Sequence, residues 1–173
     1  FSYHKLDLSI KDWFRIPPIG YMEYYLTAGK TWGKLPFPLL FLHQGNETYT
    51  HDYYAYNMMN YIEFVSDEFV SLGLEHHFNG YLLNKIPLFK KLKWRSLVSG
   101  KAVVGRLVQD SQSVMEFPDN LYTLSYRKPY VEAGVGIENI FKIFRLDLLW
   151  RLTYTDHPNI QTLGLRGNFY FNF

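Results

Sequence analysis

The stretch F-R-L-D-L-L-W-R-L-T-Y, residues 144–154, decides how this chain is to be read. Phe144, Leu146, Leu148, Trp150, Leu152 and Tyr154 alternate with Arg145, Asp147, Leu149, Arg151 and Thr153. A β-strand sends successive side chains to opposite faces, so this period gives one apolar face and one that gathers charge. A helix built from the same residues would scatter the charges around its circumference. The segments on either side repeat the scheme. Upstream, Val131, Ala133, Val135 and Ile137 alternate with Glu132, Gly134, Gly136 and Glu138. Downstream, Leu163, Leu165, Phe169, Phe171 and Phe173 share a face with Gly167, opposite Gly164, Arg166, Asn168, Tyr170 and Asn172. The charged faces of these strands collect Glu132, Glu138, Arg145, Asp147, Arg151 and Arg166.

Two architectures produce such strands. A soluble sandwich or lipocalin-like lipid-binding barrel turns the apolar face inward and the charged face to water. An outer-membrane barrel does the reverse, with apolar side chains against lipid and charges lining the lumen. The membrane version is favoured. Its apolar faces approach the ~9–11 residues a tilted strand needs to cross a bilayer. Aromatic side chains near strand ends (Trp13, Trp32, Trp94, Phe141, Phe144, Tyr154) suit interfacial girdles. The polar face mixes both charge signs with glycine, which fits neutralised pairs in a lumen. A helical membrane protein is excluded: the longest apolar run, Leu35 to Leu42, contains Pro36 and Pro38, far from the ~18 continuous apolar residues of a spanning helix.

The same alternation, followed along the chain, predicts seven strands, at 3–12, 21–32, 68–80, 93–107, 131–138, 144–154 and 163–173, with a bulge at Arg106. The connections 14–20, 83–92 and 140–143 are short, and 34–67, 108–128 and 155–162 are long. Bacterial barrels put short turns on the periplasmic side and long loops outside. The C-terminus is then periplasmic and 34–67 is a long extracellular loop. Single-chain bacterial barrels have an even strand count, so seven cannot close alone. Either 54–64 holds a further strand, or residues 1–173 are a single C-terminal segment of a larger barrel. The absence of an initiating methionine and of a leader favours the second. If Phe141 and Lys142 form a two-residue turn, Glu138 faces Arg145 and Glu132 faces Arg151, giving opposite-charge pairs worth roughly 0.2–1 kcal/mol each.

The 173 residues carry a net charge of +2 with no basic run, which argues against a nucleic-acid partner. Cysteine is absent, so there is no disulfide framework and no thiolate metal site. The chain holds 15 Tyr and 14 Phe, more than an ordinary soluble core requires.

Several long motifs are distinctive: L-P-F-P-L-L-F-L-H-Q-G-N-E-T-Y from Leu35, N-Y-I-E-F-V-S-D-E-F-V-S-L from Asn60, E-H-H-F-N-G-Y-L-L-N-K-I-P-L-F-K-K-L-K-W-R from Glu75 and P-Y-V-E-A-G-V-G-I-E-N-I-F-K from Pro129. They resemble a family of Bacteroidetes outer-membrane proteins of unknown function. Its members carry an N-terminal carboxypeptidase-like regulatory domain and a C-terminal barrel related to the outer-membrane assembly-factor superfamily. The resemblance implies that this chain is the C-terminal barrel of a longer protein in a Gram-negative outer membrane. It brings no activity. The superfamily's R-G-[FY] motif on a lumenal loop is not matched, because Arg166-Gly167 is followed by Asn168 and lies in the last strand.

Few residues suggest chemistry. His43, Asn46, His51 and Asp52, with Glu47, lie on one long loop and could hold a metal or form a hydrolytic His/Asp pair, although the histidine spacing fits no zinc motif. A loop folded over or into the barrel is the favoured reading. Glu75 and His77 share a strand face, where a hydrogen-bonded structural role is favoured over a proton-sensitive pair; His76, on the opposite face, belongs near the periplasmic interface. Ser66, Ser71, Ser96 and Ser99 sit in no G-x-S-x-G elbow, and Ser71 and His77 are about 20 Å apart along one strand at ~3.3 Å per residue. The basic turn Lys85, Lys90, Lys91, Lys93 and Arg95 is read as a solvated turn with anchoring charges, and contact with anionic lipid or a periplasmic domain is the alternative.

The expectation is an all-β, antiparallel transmembrane β-barrel segment with a structural, assembly or translocation role and no enzyme activity, cofactor or metal. An outer-membrane hydrolase using the 34–60 loop and a soluble lipocalin-like carrier are the alternatives. Expected partners are outer-membrane lipid, the barrel-assembly machinery and other outer-membrane or periplasmic proteins. The ending, with Phe169, Phe171 and Phe173 facing lipid, resembles the C-terminal assembly signal of such barrels. Its glycine is shifted by one, because Gly167 lies six residues before Phe173.

Overall fold

The computed structural model describes residues 2–108 and 113–169. Its strands are β1 (His4–Arg15), β2 (Tyr21–Trp32), β3 (Phe41–Leu42), β4 (Phe64–Ser66), β5 (Glu68–His77), β6 (Arg95–Arg106), β7 (Tyr122–Thr123), β8 (Tyr130–Ile140), β9 (Phe144–Arg151) and β10 (Leu163–Phe169). Helix α1 (Pro87–Leu92) is a short turn with proline at its start, where the missing N–H costs nothing. Among the described residues no helix is long and apolar enough to cross a membrane.

Seven long strands form one antiparallel sheet in the order β1-β2-β5-β6-β8-β9-β10. Each strand neighbours the one before it among the long strands, so the sheet is a meander. Tight turns 16–20 and 141–143 lie at one end, the short-turn end, together with the 78–94 connection, which is longer than expected and holds α1; 33–67, 107–129 and 152–162 lie at the other. β1 and β10 are the two edges, and no ladder joins them: the described residues form an open sheet, not a closed barrel. A small sheet of β3, β4 and β7 lies within the long connections.

The pleat sorts the side chains in the unusual direction. Along β8, β9 and β10, Glu132, Glu138, Arg145, Asp147, Arg151 and Arg166 are all buried. Their apolar neighbours Val135, Leu163, Leu165 and Phe169 are exposed on the other face. Phe171 and Phe173 lie outside the described residues.

The apolar core joins the long connections to Val103 of β6 and Tyr130 of β8. One cluster joins Tyr56, Met59, Phe64, Val103, Leu124, Tyr130 and Tyr154; a second joins Leu35, Leu40, Val65 and Leu121. Tyr154 thus departs from the expectation that it faces outward. Its φ of +52° turns the chain after β9, and the ring packs 4.9 Å from Phe64 with its hydroxyl donating to the Lys128 carbonyl at 2.5 Å.

Other expectations are also corrected. Arg106 makes no bulge, since it pairs regularly with Glu68 at the end of the β5–β6 ladder. Residues 54–64 add no strand to the large sheet, and only Phe64–Ser66 is extended, in the small one. The 140–143 turn does carry positive φ at both Phe141 and Lys142, closed by the Ile143 N–H on the Ile140 carbonyl at 3.2 Å. A bulge between Ile137 and Ile140 accompanies it, with Asn139 at φ +64°. Glycine is required at Gly45, where a Cβ would lie 2.2 Å from the Asn60 carbonyl oxygen and separate the two limbs of the long loop.

Candidate functional site

The charged inner face of the sheet mostly holds a loop. The side chain of Glu132 accepts the backbone N–H of Asn57 at Oε1 and of Met58 at Oε2, each at 2.9 Å, and the Tyr130 hydroxyl at 3.0 Å. Lys101, opposite Glu132 in the β6–β8 ladder, donates to the carbonyls of Asp52 and Ala55 at 2.9 and 2.5 Å. Arg166 Nη2 donates to the Asn57 carbonyl at 3.0 Å. Arg151 grips Glu63 through both terminal nitrogens, at 2.6 and 2.8 Å, and reaches the carbonyls of Met58 and Tyr154. Inside this cradle Asn57 is fully buried and donates to the Asp52 carbonyl at 2.7 Å, while Tyr56 donates to Ser71 at 2.7 Å. Backbone polar groups of residues 52–63, which would be costly to bury unpaired, find partners on the strands.

Arg151 does sit opposite Glu132 in the β8–β9 ladder, as the expected register requires. The expected Glu132–Arg151 and Glu138–Arg145 ion pairs do not form, because each charge takes a better-placed partner. Arg145 makes a two-pronged contact with Glu75 at 2.5 and 2.8 Å and reaches Asp147 at 2.7 Å. Glu138 meets His77 Nδ1 at 3.0 Å, and Nε2 of the same ring lies 2.9 Å from Glu75. Tyr21 stacks on that imidazole at 4.5 Å. This second group of charges lies towards the short-turn end of the inner face, so Glu75 and His77 have the shared face that alternation implies. His76 points to the opposite face and donates to the Ile19 carbonyl at 3.0 Å, under the turn that follows β1.

The loop candidates are separated by their partners. His43 shares a hydrogen bond with Ser66 at 2.8 Å, and burial lowers its pKa to about 4. His51 is buried, and burial with the nearby positive charges of Arg145 and Lys101 lowers its pKa to about 3. Its backbone N–H donates to the Gly167 carbonyl at 2.9 Å, so the loop also pairs with the open edge of β10. Asn46 ties the loop to itself through Thr48, Thr50 and Asn57. The Asp52 carboxylate accepts the N–H groups of Tyr54 and Ala55, which closes a turn. Among the described residues no group of three or more His, Asp or Glu side chains is placed to hold a metal ion. Glu63 is a site residue that alternation does not reveal. Burial opposes its ionisation, but Arg151, the Asn60 N–H and His157 prevail and hold its carboxyl below the usual range. Its signal lies in tertiary contact alone.

Residues 1–137 match the model of the C-terminal domain of a family of unknown function, DUF5686. The chain belongs to this family. The match covers β1 through most of β8, and therefore the whole 43–63 loop with Glu132. No curated protein and no solved structure matches the chain.

Proposed function

We propose that this chain is a wall segment of an outer-membrane β-barrel, with a structural, assembly or translocation role and no catalysis of its own. The observation that carries the reading is the direction of burial. Cross-strand neighbours Ile10, Leu26, Leu72, Ala102 and Val131 form an apolar row, and Val98, Val135, Leu148 and Leu165 form another. These rows face away from the loop-filled side, where the charges are buried. In water so broad an apolar sheet face would far exceed the patch of a few hundred Å² that soluble monomers expose. In lipid it is the favourable arrangement.

The ends of the sheet support the same reading. Phe14 and Phe141 are exposed near the short-turn end and Trp32 near the other, as interfacial girdles require, whereas Trp13 packs on Tyr21 at the inner face. Around α1, exposed Leu82, Ile86, Leu88 and Leu92 accompany Lys85, Lys90, Lys91 and Lys93. Apolar bodies beside snorkelling lysines suit an anionic lipid surface. Because β1 and β10 do not pair with each other, closure requires further strands. The resemblance to Bacteroidetes proteins with a regulatory domain ahead of the barrel supplies a source for them. In that setting the C-terminus is periplasmic and 34–67 faces outward. Lipid, the assembly machinery and other envelope proteins are the partners.

The test is the state of the chain after expression. Recovery only in detergent or lipid is expected. A stable monomer in plain buffer would sink the proposal and favour a soluble carrier.

A further inference from the structure

The long-connection end of the molecule holds a cleft of about 440 Å³, within the roughly 300–1,000 Å³ range of small-molecule sites. Its walls come from the 43–63 loop, the 155–162 segment and, at Asn120, the 107–129 segment. Sites for drug-like ligands are lined mainly by hydrophobic side chains with a few polar groups among them. Here the balance is reversed. Met58 and Met59 border the space but are buried, so they offer it almost no surface. Asn120, Asn159 and Gln161 are exposed, and among the described residues none of their side-chain amides has a protein partner.

The cleft has no cation to offer. Nη1 and Nη2 of Arg166 donate to the carbonyls of Leu165 and Asn57, and its Nε is closed off from solvent. Two carboxylates border the same space: Glu63, held by Arg151 and His157, and the exposed Glu47, whose Oε1 accepts the Tyr61 N–H at 3.0 Å. An anion would therefore meet repulsion with nothing to offset it. What the cleft does offer is hydrogen bonding and an aromatic face. Tyr61 is 67% exposed, and among the described residues its ring has no aromatic or cationic partner. His157 is fixed by Glu63 at Nδ1 and by stacking on Tyr122 at 3.9 Å, which leaves Nε2 without a protein partner among the described residues.

We propose that this cleft binds a neutral saccharide. A sugar ring presents a C–H face and a rim of hydroxyls, each both donor and acceptor. The C–H face packs on Tyr61, whose ring is otherwise uncovered. The hydroxyls bond the amides of Asn120, Asn159 and Gln161 and the carboxylate of Glu47, planar groups with two polar atoms each. Because these side chains stand on different connections, a bound sugar ties the 43–63 loop to the 155–162 segment.

The test titrates the full chain, in a detergent without a sugar headgroup, with glucose, galactose, mannose and N-acetylglucosamine. Calorimetry and amide exchange follow binding, and glucuronate, glucosamine and glycerol are the comparisons. At least one neutral sugar is expected to saturate, to bind at least tenfold tighter than each comparison, and to slow exchange at 58–63 and 157–161. Tyr61→Ala should weaken it at least tenfold, and the double variant Asn159→Ala/Gln161→Ala several-fold. Both change exposed positions, so loop exchange without sugar should match the unaltered chain. Absence of saturable binding by all four sugars, a preference below tenfold over any comparison, or indifference to both variants would each overturn the proposal. None of these outcomes depends on whether the outer sheet face meets lipid.

Discussion

Glu132 holds two consecutive backbone N–H groups, of Asn57 and Met58, at a site only 2% exposed. Glu132→Ala would leave both donors buried without an acceptor and strip Lys101 of its nearest counter-charge. The expected cost is about 2–4 kcal/mol, read as faster amide exchange across 52–63 and a lower unfolding midpoint. Glu132→Gln keeps one acceptor and should cost roughly half. An exchange rate unchanged in Glu132→Ala would mean the loop is held elsewhere. His43 and His51 make the same loop sensitive to acid. Each is held neutral by burial, with pKa values lowered from 6.5 to about 4 and about 3. The unfolded chain therefore takes up these protons more readily than the folded one. Their contribution is present above about pH 6.5 and is lost as the pH falls towards 4 and then 3. Glu63, whose carboxyl is held low, adds to the loss in the acid range below about 4.5. Loop exchange, corrected for its intrinsic pH dependence, should accelerate between pH 7 and 4, and His43→Gln should flatten that rise. A loop equally protected at both pH values would contradict this account.

At the scale of the element, β5, β6, β8, β9 and β10 each have one face towards the loop and one turned outward, whereas β1 is exposed on both. Val135, in the middle of β8, is 46% exposed on the outward face. In lipid, Val135→Arg should cost about 2–4 kcal/mol near the bilayer midplane, whereas in water an added exposed charge would cost almost nothing. Asn168→Arg, on the inner side of β10, should be mild. Refolding yield into vesicles, compared between the two variants, separates the cases. Equal harm from both would refute the face assignment. The turns follow local chemistry as well. Asn139 accepts its positive φ because its short polar side chain tolerates that region, and its amide donates to the Lys93 carbonyl at 2.7 Å.

For the whole molecule, the consequence of the loop is that the inner face over β5 to β10 is covered, while β1 stays exposed along its length. Lys101, Glu132, Arg151 and Arg166 each bind backbone of 52–63. Planar-bilayer recording on the complete protein is expected to show little conductance. Conductance should rise when Glu132→Ala and Arg151→Ala are combined to release the loop. A large open conductance in the unaltered protein would show that the loop does not remain on the inner face.

The strands, their faces and even the Glu132–Arg151 register were legible in the sequence, because alternation is imposed by the pleat of the backbone within a few residues. The partners of the charges were not. Glu132 takes the N–H groups of Asn57 and Met58, 75 and 74 residues away, and Arg151 takes Glu63, 88 residues away. Tyr154 likewise leaves the alternating pattern as soon as its φ turns positive and the chain bends into the core. By itself the sequence determined that this chain forms a meander of strands with one apolar and one charged face. Only the tertiary structure decided that the charges grip a loop more than one another. A buried charge must satisfy its hydrogen bonds with whatever groups the fold brings near, and the pleat does not specify those groups.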